Sequence, residues 1–149
     1  MRMKSLRHQQ GTEVVEFAIT ASLLFLILFG IIETSVVLFD KATLTNASRE
    51  GSRTGILWRP DPRNLATEDN EITQAIDDYA SDYLISLGGA ASMSTDVQRV
   101  DVDGDGTFNS GDQVVVTITY PYQFLLLPEF LDTSFGNFEL SATTVMRAE

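Results

Sequence analysis

From Phe17 to Ile32 no residue carries a charge, and the stretch from Val14 to Phe39 holds only two, Glu16 and Glu33. As a helix this stretch would be roughly 39 Å long at about 1.5 Å per residue. That exceeds the hydrocarbon core of a bilayer, about 30 Å thick. A chain carrying such a run is organised around a membrane helix. A carboxylate two residues inside the run is costly unless something pairs with it, so Glu16 calls for a partner. Glu33 has two readings: an ionisable group set in the membrane for function, or a group already at the outer interface, since only Val36 to Phe39 follow. Gly30 offers a point of close helix approach.

The residues ahead of the run are basic and polar, with Arg2, Lys4 and Arg7 and no acid before Gly11. A secretory signal is one reading, but the apolar run is too long for a signal h-region of about 7–15 residues, and Glu33-Thr34-Ser35 makes a poor cleavage site. A plain single-pass anchor is another, with Glu13 and Glu16 suiting the positive end of the helix dipole. A third rests on Gly11-Thr12-Glu13-Val14-Val15-Glu16-Phe17, which resembles the processing site of the type IV pilin superfamily. That resemblance implies cleavage between Gly11 and Thr12 by a prepilin peptidase, and use of the carboxylate at Glu16, next to Phe17, in assembly.

Composition removes several function classes. The net charge is −11, and without residues 1–11 it is −14, with seven basic and 21 acidic residues. Nucleic-acid binding is excluded as an expectation, because phosphates require Lys and Arg. There is no cysteine and one histidine, His8. No disulfide, thiolate metal site or Cys nucleophile is available, and no His beyond residue 11 serves a Ser-His-Asp triad or a zinc site. An enzyme is not expected.

Past the membrane the helix is expected to continue to about residue 57, with Leu38, Ala42, Thr45 and Arg49 on one face and Asn46, Glu50 and Arg53 on another. Glu50 and Arg53 stand at i,i+3, the spacing of an intrahelical ion pair. Taken together, Glu16-Phe17-Ala18, Phe29-Gly30-Ile31-Ile32-Glu33 and Leu44-Thr45-Asn46-Ala47-Ser48-Arg49-Glu50-Gly51-Ser52-Arg53 resemble the TadE-like family, minor pilin-like proteins of the tight-adherence (Flp) pilus machinery. Ser48 and Ser52 stand where the family pattern usually has Ala, and Phe17 where the major pilins of these systems tend to carry Tyr. The resemblance implies that Glu16, Phe17 and Glu33 serve assembly and that Asn46, Arg49, Glu50, Gly51 and Arg53 form a family motif.

The rest reads as one small α+β domain, residues 58–149. Two prolines in 58–64 make a linker. Residues 67–87 form an amphipathic helix, with Ile72, Ile76, Tyr79, Ala80, Tyr83, Leu84 and Leu87 on the apolar side. Thr67 is its expected N-cap and Gly88-Gly89 its stop. Glu68, Asp69, Asp77, Asp78 and Asp82 are expected on the solvated side. Alternation marks strands at 97–102, 114–120 and 138–146. The expected architecture is an antiparallel meander of about three strands with one helix packed on it. The apolar connection 124–135 either closes the core or lies on a membrane or neighbour.

The sharpest chemical motif is the loop 101–112. Asp101, Asp103, Asp105 and Asp112 occupy positions 1, 3, 5 and 12, Gly106 position 6, Thr107 position 7 and Asn109 position 9. That is the oxygen-ligand order of an EF-hand loop, and it resembles dockerin-type calcium loops, which also end in Asp. A structural Ca²⁺ is expected, bound with a Kd of about 10⁻⁶ to 10⁻³ M because Asp is shorter than Glu at position 12. The competing reading is an acidic hairpin turn, since Asp-Gly favours turns by itself.

The functional expectation is a minor pilin-like subunit, leader 1–11 removed, held by its helix (12–57) in the inner membrane with the N-terminus cytoplasmic and the domain periplasmic, or carried into an extracellular pilus. Its implied partners are other pilin-like subunits, the inner-membrane assembly platform and the prepilin peptidase. The alternative is an uncleaved membrane-anchored binding module stabilised by calcium.

Overall fold

The computed structural model describes residues 6–60, 63–85, 93–124 and 138–148, with side chains from Gly11 onward. Helix α1 runs unbroken over Leu6–Gly55. It begins ahead of Gly11, rather than at residue 12, and stops two residues short of the expected end. Arg59 and Pro60 follow outside any helix, as a proline without an N–H requires.

Helix α2 spans Leu65–Tyr83, offset from the expected 67–87. Its N-cap is Asn64, not Thr67: the Asn64 side chain accepts from the Thr67 N–H at 3.2 Å. Asn is among the best residues for this task, while Thr67 sits where a capped N–H belongs. The helix closes at Leu84, whose N–H reaches the Ala80 carbonyl at 2.8 Å. Gly88-Gly89 and Leu87 lie outside the described residues, as does the connection 125–137. Ile72, Ile76 and Ala80 are buried as the spacing required, but Tyr83 is exposed.

Strands β1 (Ser94–Val100), β2 (Gln113–Tyr122) and β3 (Phe138–Arg147) form one antiparallel sheet in the order β1-β2-β3. The register pairs Val97 with Val116 and Val116 with Thr144. Val114, Val116, Ile118 and Tyr120 turn inward, and Val115, Thr117 and Thr119 outward, the period-2 pattern of a sheet with one covered face. Pro121 is tolerated in this central strand because β1 ends opposite Thr119, leaving only β3 beside it.

The long helix α1 also packs on the sheet. The second half of α1 packs on β2 and β3, and α2 runs antiparallel beside it: Gly51 and Gly55 lie against Ile76 and Ile72, and Asp40 lies by Ile85. The core joins Leu44 and Ala47 of α1, Ile72 and Ile76 of α2, and the inner face of β2 and β3. The close approach explains the small residues. A Cβ on Gly51 would come within 2.5 Å of Ile76, and one on Gly55 within 2.8 Å of Ile72. Ala47, Ser48 and Ser52 complete this buried stripe.

Candidate functional site

Helix α1 divides at Glu33. Before it, Val14, Val15, Phe17, Ile19 and Leu23 are each more than half exposed, and the 18-residue window that makes this helix long and apolar enough to cross a membrane is wholly unburied. Val14 to Ile32 rises about 28 Å, close to a hydrocarbon core of about 30 Å. Gly11 and Glu16 are exposed too, and no hydrogen bond or ion pair within the described residues satisfies the Glu16 carboxylate. Among the described residues, nothing beyond its own helix lies within 4 Å of where a Cβ on Gly30 would stand.

From Glu33 onward the opposite holds. Glu33 is 1% exposed, and the Tyr122 hydroxyl at the end of β2 donates to its Oε1 at 2.7 Å. The carboxylate therefore sits where the helix leaves its apolar half and meets its own domain. Burial, and then the Glu33 carboxylate, push the Tyr122 phenol well above its usual range, so it stays a donor. One turn pair further on, Asp40 is fully buried and accepts the Ile85 N–H at 2.9 Å, fastening the end of α2. The Lys41 ammonium donates to the Ser141 carbonyl of β3, and the Ser48 and Thr144 hydroxyls meet at 2.7 Å.

The motif residues fall into two sets. Gly51 is in the interior, whereas Asn46, Arg49, Glu50 and Arg53 all face out. The Glu50–Arg53 ion pair does not form; the ion pairs among described residues lie elsewhere. The expected faces of this segment were both outer ones, and the face that packs lies across the helix from them, where Leu44 stands among the small residues Ala47, Ser48, Gly51 and Ser52.

In the loop, the carboxylate oxygens of Asp101, Asp103 and Asp105 gather within 4.8 Å of one another. Asp101 accepts the Gly104 N–H at 2.6 Å and the Gly106 N–H at 2.8 Å. Gly106 and then Gly104 hold its carboxyl below the usual carboxylate range. Both glycines sit at positive φ, 76° and 82°, a conformation other residues adopt only with strain. Asp105 accepts from Thr107 and from the Asn109 amide. Asp112 stands apart. It is 1% exposed, and its two oxygens take the Val102 and Asn109 N–H groups at 2.8 and 2.9 Å, closing the loop's neck. Three acids with Thr107 and Asn109 at their side suit a hard cation; Asp112 serves the backbone.

A network that the sequence reading missed anchors this loop. Glu68, placed on the solvated side of α2, is in fact 2% exposed. Arg63 grips it through Nε at 3.0 Å and Nη2 at 2.7 Å. That bidentate bond, more than any other influence, holds the Glu68 carboxyl below its ordinary value. Arg99 of β1 pairs with Asp69 at 2.6 Å. The two guanidinium groups face the Phe108 ring, 4.8 and 5.3 Å from its centre. The supposed linker residue Arg63 thus joins α2 to the acidic loop. Its only sequence signal is a Glu five residues on.

Comparison with known proteins agrees with one part of the chain. The family model described as TadE-like protein matches residues 11–53, from the glycine ahead of the apolar run to the last arginine of the motif. The match covers under a third of the chain, makes 11–53 a TadE-like, pilin-related segment, and associates the chain with the Tad pilus system. No curated protein and no solved structure matches the chain.

Proposed function

We propose that this chain is a minor pilin-like subunit, cut between Gly11 and Thr12 and inserted through α1 into an assembling Tad pilus. The observation that carries this is the contrast between its two helix carboxylates. Glu33 is satisfied by its own chain through Tyr122, whereas Glu16 stands exposed on an apolar helix with nothing in the described chain to neutralise it. A group so placed needs a cation from outside. The new ammonium of Thr12 on a neighbouring subunit supplies one after cleavage, and the pair fixes register more than it adds stability. The domain then lies on the outer side of the inner membrane or on the pilus. Assembly platform, peptidase and other pilin-like subunits are the partners of this role.

The test is Glu16→Gln in cells carrying the pilus machinery. Loss of the chain from sheared pili, with the domain's melting temperature unchanged, is the expected result. Unaltered incorporation overturns the role given to Glu16, and absence of the unaltered chain from sheared pili favours the uncleaved, anchored binding module instead.

Calcium is part of the same proposal. Asp101, Asp103, Asp105, Thr107 and Asn109 would hold the ion, with Asp112 shaping the loop around them, and the ion would offset the repulsion among three converging carboxylates. If the folded chain alone binds it, the stability gain follows mass action. Added Ca²⁺ should raise the melting temperature of the wild type and leave Asp101→Ala/Asp103→Ala unmoved. An equal rise in both defeats the claim.

A further inference from the structure

Seven basic side chains lie beyond Gly11, and five are engaged. Arg59, Arg63 and Arg99 form ion pairs, Lys41 donates to Ser141, and Arg147 donates to the Gly111 carbonyl at 2.8 Å. The remaining two, Arg49 and Arg53, are exposed, one helical turn apart on α1, with no partner among the described residues. Asn46 and Glu50 share their face. At 100° per residue the four fall within about 100° of arc.

The outer face of α2 is their electrostatic opposite. Asp77, Asp78 and Asp82 are exposed, and none is in an ion pair among the described residues. Gln74 and Ser81 lie between them. The three acids crowd the C-terminal half of α2, whose last turn has no basic residue. Acids there oppose the helix dipole, and Asp78 and Asp82 repel at i,i+4. Nothing in the described chain offsets this.

We infer that the Arg49/Arg53 face of α1 docks on the Asp77/Asp78/Asp82 face of α2 in a second copy of this chain. The two patches are different surfaces, so the contact is head-to-tail and can repeat along a filament. This deepens the assembly reading and rests on it for its biological setting. A lipid surface does not fit the arginines. Arg49 lies 16 residues beyond Glu33, about 24 Å along the helix, while the headgroup layer adds only about 5–8 Å to each side of the hydrocarbon core.

The chain has no cysteine, so single cysteines report the contact cleanly. Full-length Asn46→Cys and Ser81→Cys chains, mixed in nonionic detergent, should form the mixed disulfide in preference to either homodimer. Reversing Arg49→Glu and Arg53→Glu on the Asn46→Cys chain should cut its yield about tenfold, and Asp77→Arg, Asp78→Arg and Asp82→Arg on the Ser81→Cys chain should restore it. A mixed disulfide indifferent to these reversals, or none between folded chains, overturns the inference. If a reversed variant fails to fold, sedimentation of the unaltered chain decides. Self-association should weaken from about 20 mM to about 500 mM NaCl, and salt-independent association contradicts the proposal. A chain cut at Gly11 that does not cross-link defeats only this contact. One left uncut that cross-links defeats only the assembly reading.

Discussion

The two halves of α1 share one helix and follow opposite rules. From Gly11 to Ile32 nearly every side chain is exposed and almost none has a partner among the described residues; from Glu33 to Gly55 one face is buried, and Glu33, Asp40 and Ser48 on it bond to the chain's own domain, with one Asp40 oxygen left over. Gly30 and Gly51 show the contrast at single residues. A side chain on Gly30 meets open space, whereas one on Gly51 runs into Ile76. The first half is large and apolar because its surroundings lie outside the chain. The second is small and polar because its surroundings are two other elements at close range.

That contrast can be broken by substitution. Gly51→Leu should destabilise the domain by about 3 kcal/mol, because the added atoms crowd Ile76 and Ile72 between packed helices. Gly30→Leu should change the domain's stability by less than about 0.5 kcal/mol. Denaturation midpoints in detergent measure both, and similar losses at the two positions would erase the distinction.

Glu68→Gln should cost about 1–3 kcal/mol at neutral pH, since it leaves the partly buried Arg63 without its counter-charge. The wild type should also show an acid slope. Glu68 has its folded value depressed from an ordinary 4.5, so its contribution is full above that value and is lost as pH falls through the lowered one. Melting temperature should fall between about pH 5 and pH 3, and the Gln variant should fall less steeply. Asp101, held low by Gly106 and Gly104, has the same sign and leaves a residual slope.

A smaller loss sharpens the boundary itself. Tyr122→Phe removes a donor from the buried Glu33 carboxylate and should cost about 1–2 kcal/mol. It should leave pilus incorporation intact as long as the domain stays folded, unlike Glu16→Gln. Equal loss of incorporation from both variants would mean that Glu33, too, acts outside its own chain.

Much of the sheet could be read from the chain, because the Val114–Tyr120 alternation exposes its period directly and Ile72, Ile76 and Ala80 mark α2. The loop 101–112 does join β1 to β2. The buried face of α1 was hidden, because Ser48, Gly51 and Ser52 pack by smallness and carry no apolar signal. Buried Glu33, Asp40 and Glu68 were equally opaque. Glu33 and Asp40 depend on Tyr122 and the Ile85 N–H, 89 and 45 residues away. Glu68 depends on Arg63 in a segment that reads as linker. The acidic loop was legible as spacing, but the separation of Asp112 from the other three acids depends on backbone N–H groups that spacing does not reveal.

The most direct measurement is the intact mass of the protein taken from its native membrane. A mass that begins at Thr12 is the predicted result, since the unpaired Glu16 then has a neighbour's new ammonium to meet. A full-length mass, with the processing peptidase present and active, would contradict the assembly role and leave an anchored domain whose chemistry lies in the loop at 101–112.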